Sequence, residues 1–417
     1  MTSGDQIYRQ TNLNQGDAMN ATTILNKIMT LVSFKMHKGR KEALLACIQS
    51  VLKGSSITVT EIGRGITNKA YEKHRIKRAD RLLSNPHLAL ESPLFYSAIC
   101  KLFCTSAQPV IAVDWSDLDK SNCHFLLRAA LTVKGRTITL YQEVHTLKTK
   151  EKASTHKDFL KQLKQIMPAH CTPIIVTDAG YKSPWFQAVR ALGWDVVGRV
   201  RKPHLYSLNE GKTWSPIVQL YEKATRRAKQ FDNVMISRKS PFRCSLVLIK
   251  QESKGRHALN VNRERRRSRA SLKQAKGATD PWLLATTLPS HRNLAKQVIA
   301  IYKQRMQIEE GFRDMKSRQF GLGFEQNRSV KTFRVSNLVF IATLASLIAL
   351  LIGMAVTRSN IHRRFQANTT ATPSLSFHTL GLRALAVNLK IPRKLWKQTL
   401  LWLHELTNQT SHVDAWH

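Results

Sequence analysis

Hydrophobic and polar positions recur along this chain with periods that change at a few marked points. The first hundred residues carry helical spacing on a basic background. Within them "SSITVTEIGRGITNKAYEKHRIKRADRLLSNPHL" predicts a short helix from about Thr60, a turn near Gly65 to Asn68, and a second helix from about Lys69 to Leu83. From residue 108 the period shortens. "QPVIAVDWSD" is an apolar run ending in Asp114, and "FLLRAALTV" and "RTITLYQEV" flank the two-residue turn Lys134-Gly135, so three antiparallel strands follow one another. "THKDFLKQLKQIMP" brings Phe159, Leu160, Leu163 and Ile166 to one helical face and stops at Pro168. "PIIVTDAG" reads as a buried strand ending at Asp178. In "SPWFQAVRALG" Ser183 is the expected N-cap, Pro184 stands in the first turn and Gly193 lies past the end, after which "WDVVGRV" is a fifth strand.

The order strand, strand, strand, helix, strand, helix, strand predicts an α/β, ribonuclease H-like core, a mixed sheet flanked by helices, by analogy of element order. Between about 201 and 290 a β insertion is expected, with strands at "PFRCSLVLIKQ" and "PWLLATTL". Between those strands the basic run "SKGRHALNVNRERRRSRASLKQAKGATD" has little apolar periodicity and is expected to lack fixed packing until a polyanion neutralises it. The resulting division is a helical N-terminal region over 1–105, a ribonuclease H-like domain with the β insertion over 106–345 and a helical C-terminal region over 346–417. Residues 338–356, "LVFIATLASLIALLIGMAV", are 19 residues without a charge, long enough for a membrane span. Arg334 and Arg358 flank them on both sides, which gives no orientation, and their Ala, Ser, Thr and Gly suit close packing in a large core.

Charge narrows the partners. Sixty-six Lys and Arg against 27 Asp and Glu leave the 417-residue chain at +39, a field that attracts polyanions, nucleic acid first and an anionic membrane second. With 42% hydrophobic residues the chain has ample material for a core, which excludes disorder throughout. Six cysteines without a C-x-x-C pair or a nearby His at zinc-finger spacing read as reduced thiols in a cytoplasm. The N-terminal segment lacks a basic and then apolar leader pattern, so secretion is not expected. The pair of helices near residue 70 resembles a helix-turn-helix, and Lys69, Lys73, Arg75, Lys77, Arg78 and Arg81 on its second helix are candidate donors to DNA.

The stretch "IYKQRMQIEEGFRDMK", residues 301–316, raises a sharper question. At roughly 100° per residue, Tyr302, Arg305, Glu309 and Lys316 fall within about 60° of arc, beside an apolar stripe of Ile301, Ile308, Phe312 and Met315. An amphipathic helix so built can pack on a sheet and present a carboxylate among cations. Asp114 and Asp178, each following an apolar strand, would share a sheet edge if those strands are neighbours. Three such carboxylates are what a two-metal phosphodiester-cutting site needs, because hard oxygen ligands suit Mg²⁺.

The spacing Tyr-x2-Arg-x3-Glu-x6-Lys, together with "VDWSDL", "VTDAGYKSPWF" and "YKQRMQIEEGFRDMKS", resembles the insertion sequence four family of bacterial DDE transposases, over about Leu44 to Gln366. The resemblance implies that Asp114, Asp178 and Glu309 are the DDE triad binding two Mg²⁺ ions, with Mn²⁺ as a substitute. It implies that Tyr302, Arg305 and Lys316 contact phosphates of the transposon end, and that Trp282 stacks on a base turned out of the duplex. The chain departs from one relative of the family in having Met306 where that relative has a second Trp. The implied reaction is a nick by water, hairpin formation by the freed 3′-hydroxyl, hairpin opening, and transfer of the 3′-ends into target DNA by a homodimer, without a nucleotide cofactor. Two other readings use the same residues. One is a ribonuclease H-like nuclease of the resolvase type, which uses water alone; the other is a DNA-binding regulator tethered to a membrane through 338–356.

Overall fold

The computed structural model describes residues 36–252, 279–370 and 372–409, with scattered positions between 18 and 32 and between 264 and 277. Most of the basic run predicted to lack fixed packing lies outside the described residues. The N-terminal part is helical: α1 (Lys38–Leu52), α2 (Val59–Gly65), α3 (Glu72–Leu83) and α4 (Pro86–Phe103). Thr58 caps α2 by accepting from the Glu61 N–H, and Asn85 caps α4 by accepting from the His87 N–H. The second helix of the pair starts three residues later than expected. Asn68 Oδ1 accepts from the Ala70 N–H at 3.0 Å, a local turn that keeps Lys69 on the connection and off the helix.

The central sheet is built from β1 (Val110–Asp117), β2 (Phe125–Val133), β3 (Arg136–His145), then α5 (Ala153–Ile166), β4 (Ile174–Thr177), α6 (Ser183–Ala191) and β5 (Asp195–Arg199). This is the predicted order, and it gives a ribonuclease H-like core in which β1, β4 and β5 run parallel while β2 and β3 are antiparallel additions. Every residue of β2 is buried, because helices cover both faces of the sheet there. Two local expectations need correction. Asp114 stands inside β1, which continues through Asp117, and Ser183 is the first residue of α6 with Lys182 at its N-cap.

The insertion does not form a separate body. It contains β6 (Leu205–Ser207), β7 (Ser215–Pro216), α7 (Val218–Tyr221), β8 (Lys229–Ile236), β9 (Phe242–Ile249) and β10 (Trp282–Thr286). Strand β10 pairs antiparallel with β5, so the insertion extends the same sheet to ten strands in the order β3-β2-β1-β4-β5-β10-β9-β8-β6-β7. After it come α8 (Leu294–Gln304), α9 (Met306–Lys316), α10 (Thr332–Arg358), α11 (Phe377–Ala386) and α12 (Arg393–Gln409). The stretch 301–316 is therefore two helices. Arg305 closes one and opens the other, its own N–H bonding to the Tyr302 carbonyl and its carbonyl to the Ile308 N–H, a three-residue spacing that interrupts the regular ladder. The expected apolar stripe holds: Ile301, Ile308, Phe312 and Met315 are all buried.

Helix α10 explains the uncharged segment. It is long and apolar enough to cross a membrane, yet 94% of its most apolar 18-residue window is buried within the protein. It touches α1, α4, β3, α11 and α12, and runs without interruption across the 345/346 division. Its small residues permit close contact. A Cβ on Gly353 would meet the Phe377 carbonyl, and one on Gly381 of α11 would meet the Ala349 carbonyl. A membrane tether would leave those faces to lipid, whereas here they are covered by protein.

Gly353→Ala is expected to lower stability by roughly 1–3 kcal/mol or more, because the new methyl overlaps backbone that cannot move aside. Gly39→Ala in α1, where nothing lies nearer than 3.6 Å, is expected to be neutral or stabilising. Urea unfolding midpoints compare the two.

Candidate functional site

The register of the parallel strands sets the site. Ile111 pairs with Ile175 and Ala112 with Val176 across β1 and β4. Continuing that register by two residues brings Asp114 level with Asp178, where β4 has just ended. Chain geometry then fixes each carboxylate. Asp178 Oδ1 accepts the Gly180 N–H at 2.8 Å, closing the turn "DAG", and Asp114 Oδ1 accepts the Trp115 N–H at 2.9 Å. Burial, and after it the charge of Asp178, pushes the Asp114 carboxyl up to about 7 against the opposing pull of Arg305.

Glu309 arrives from α9, held to the sheet by Ile308, Phe312 and Met315. It lines the same cleft, of about 570 Å³, as Asp114 and Asp178. Arg305 stands between the carboxylates. Its Nη1 donates to Asp114 Oδ2 at 3.1 Å and its Nη2 to Glu309 Oε1 at 2.7 Å. Burial opposes the charge of Arg305, but the Tyr302 hydroxyl, Asp114 and Glu309 outweigh it and hold the guanidinium above its usual range. The guanidinium carbon lies 5.8 Å from the centre of the Tyr302 ring, and Tyr302 in turn meets the half-buried Trp282 edge to face at 4.9 Å. Lys316, at the end of α9, donates to Ser116 Oγ and to the Asp117 carbonyl, tying the helix to β1.

Asp114, Asp178, Glu309 and Lys316 thus line one cleft, Arg305 reaches it through its bonds to Asp114 and Glu309, and Tyr302 and Trp282 stand behind Arg305, outside that lining. Among the described residues no three His, Cys, Asp or Glu side chains form a ready cage for one ion, and Arg305 is paired with two of the three carboxylates. The donor set is nonetheless that of a hard divalent cation: carboxylate oxygens only, one of them with its charge held back by burial beside another acid.

On the helix pair, Lys73, Lys77 and Arg81 are exposed at four-residue spacing along α3, and Lys69 is exposed on the connection before it. Arg78 is partly buried. Arg75 is partly committed elsewhere, donating from Nη1 to the carbonyls of Arg64 and Ile66. The pair is joined to the cleft through Ile57, whose N–H bonds the Leu322 carbonyl just beyond α9, and through Arg334 of α10, paired with Asp80 at 2.6 Å.

The sequence reading misses an aromatic wall. Trp115 Nε1 donates to His156 Nε2 at 3.1 Å, and His156 stacks on Tyr181 at 5.2 Å beside Trp185. Trp115, His156 and Tyr181 line the arm of the cleft, of about 380 Å³, that also holds Asp114 and Asp178. Trp115 follows Asp114 directly and so was within reach. His156 sits on a helix among Lys and Thr and carries no local signal. Burial lowers its pKa from 6.5 to about 4, with the His145 charge adding to the effect, so at neutral pH it is the neutral acceptor that the Trp115 N–H requires.

Residues 105–348, more than half of the chain, match the sequence profile described as the transposase DDE domain. No curated protein matches the chain.

Because His156 binds a proton less readily folded than unfolded, its contribution to stability is intact above pH 6.5 and is lost as pH falls toward 4. His156→Gln, which keeps an acceptor for Trp115 but does not titrate there, is expected to flatten the stability loss between pH 6.5 and 4. Chemical unfolding at pH 7.5 and pH 5 measures it; equal pH dependence in both proteins would remove His156 as the cause.

Proposed function

The chain belongs to the transposase DDE domain family, and from that membership we propose that it is a cut-and-paste transposase of the insertion sequence four type, similar to the transposase of insertion sequence ten. Family membership makes it a DNA-acting enzyme of transposition, with nuclease chemistry that generally uses divalent metal ions. The observation that carries the finer reading is the convergence of Asp114, Asp178 and Glu309 on one cleft, from two strands and a helix far apart in sequence.

In this reading Asp114, Asp178 and Glu309 hold two Mg²⁺ ions, for which Mn²⁺ can substitute. Bound there, the ions supply an activated oxygen nucleophile and stabilise the leaving oxygen in an in-line displacement at phosphorus. The chain's own residues do the rest. Burial keeps water from Asp114, whereas Asp178 is half-buried and Glu309 is exposed to the cleft. Arg305, which balances Asp114 and Glu309, carries a donor fork suited to a phosphate once cations take over that balance. Lys316 and Tyr302 flank it as further phosphate contacts. Trp282 provides the aromatic face for an everted base, a stacking contact of roughly 1–3 kcal/mol. The exposed Lys69, Lys73, Lys77 and Arg81, with Arg75 and Arg78, seat the transposon end, and the link from α2 and α3 to α9 and α10 fixes the distance from bound sequence to cut site.

One cleft then serves successive nucleophiles: water at the nick, the freed 3′-hydroxyl in hairpin formation, water at hairpin opening, and the 3′-ends at the target. Two copies of the chain hold two ends. A nuclease of the resolvase type would employ water alone and would yield nicks without hairpins, so a DNA end bearing matched inverted repeats separates the two readings.

Asp178→Asn is expected to retain binding to transposon ends within about threefold, since binding is mostly phosphate neutralisation, and to lose metal-dependent nicking by roughly 10³-fold or more. Gel-shift and nicking assays on one substrate read both; parallel loss of binding would count against the assignment. End binding is also expected to weaken steeply between 50 and 200 mM salt, by roughly 10³-fold if about six phosphates are neutralised. A flat salt titration would sink the phosphate-seat reading.

A further inference from the structure

Behind the carboxylate cleft lies a second, much smaller cavity of about 30 Å³, enclosed by β2, β3, α9, α10 and the start of α11. It has room for one or two species the size of a water molecule. Its polar lining is Arg128, Arg136, Thr137, Thr139, Asp314, Thr343, Ser346 and His378, with the Thr343 hydroxyl already engaged by Gln142 and the Val339 carbonyl.

Donors dominate that lining. Arg128, the residue opposite Asp114 in the β1–β2 register, is 4% exposed. Its Nε donates to Gln142 Oε1, its Nη2 contacts Met315 Sδ, and its guanidinium lies 4.9 Å over the Phe312 ring. Among the described residues no carboxylate pairs with it, and a buried guanidinium without a counter-charge is costly. His378 is 2% exposed, and neither of its ring nitrogens has a partner among the described residues. In either tautomer it offers at least one N–H. The hydroxyls of Thr137, Thr139 and Ser346 make no hydrogen bond among the described residues. The one anionic group, Asp314, is taken by Arg136 at 2.8 Å. Arg136 is met by Asp314 and, at 4.0 Å, by Glu310, so the uncompensated charge at the cavity is that of Arg128, and His378 stands in the first turn of α11, whose dipole adds the same sign.

We propose that this crypt binds a single monatomic anion of the halide class, which serves as the counter-ion of Arg128. Water would meet the donors but leave the charge, and room for one or two water-sized species suits a monatomic ion better than a tetrahedral oxyanion. A cation is excluded by the sign of the lining. The bound halide would hold Arg128 against Met315 and Phe312, and so fasten α9, with Glu309 and Lys316, to the sheet. Nothing in this requires DNA, so the inference stands apart from the reaction proposed above.

The test uses the full-length, DNA-free protein in sodium bromide. Crystals should show a bromide anomalous peak within the crypt. The melting temperature should rise in bromide or chloride relative to gluconate at the same ionic strength. Since Arg128 variants can fail to fold, the paired variant Thr139→Val with Ser346→Ala carries the solution arm: it keeps the charge, removes two donors, and should weaken the apparent halide affinity at least about tenfold. Bromide confined to surface Arg and Lys, water alone in the crypt, or an unchanged halide response in the paired variant would each overturn the proposal.

Discussion

Two carboxylates held at the same level on neighbouring parallel strands repel one another, and the architecture around Asp114 and Asp178 is organised by that repulsion. They have little freedom to separate, because Asp114 is held by the N–H of the next residue and Asp178, in the turn just past its strand, by the N–H two residues on. Relief must come from a cation. In the chain alone it comes from Arg305, which reaches across to Asp114 and bridges it to Glu309. The break between α8 and α9 falls at that same residue. A continuous helix would carry Arg305 within a regular ladder, and the interruption accompanies a side chain drawn toward the sheet.

Much of the fold is legible from residue patterns. The change of period at residue 108, the Lys134-Gly135 turn and the Pro168 stop order the first five strands and two helices, because each element there has one dominant apolar face or lies wholly inside. Strand β8, "KQFDNVMI", is not legible in the same way: half of its residues are polar, and its exposed and half-buried positions lack a clean alternation. Its strand state is imposed by pairing with β9, an interaction distant from local propensity. Asp114 is legible as an acid after an apolar run, but not as a residue inside a strand, since the polar residues that follow it are kept in the sheet by pairing with "FLLR" of β2.

The candidate site divides along the same line. Spacing alone nominates Tyr302, Arg305, Glu309 and Lys316, since a helix converts intervals of three, four and seven into proximity. It cannot reveal His156 or Arg128, whose importance arises from what other elements bring to them. His156 is defined by the indole of Trp115 and the ring of Tyr181, Arg128 by burial among helices and strands where, among the described residues, no carboxylate pairs with it. Such residues acquire their chemistry only in three dimensions.

The central position of α10 bears on the order in which the molecule can be made. It lies in the last quarter of the chain, yet α1, α4 and β3 all rest on it. Until translation has passed residue 358, those earlier elements have apolar faces with nothing to cover them. A copy of the coding sequence interrupted before that point yields a polypeptide that cannot close its interior.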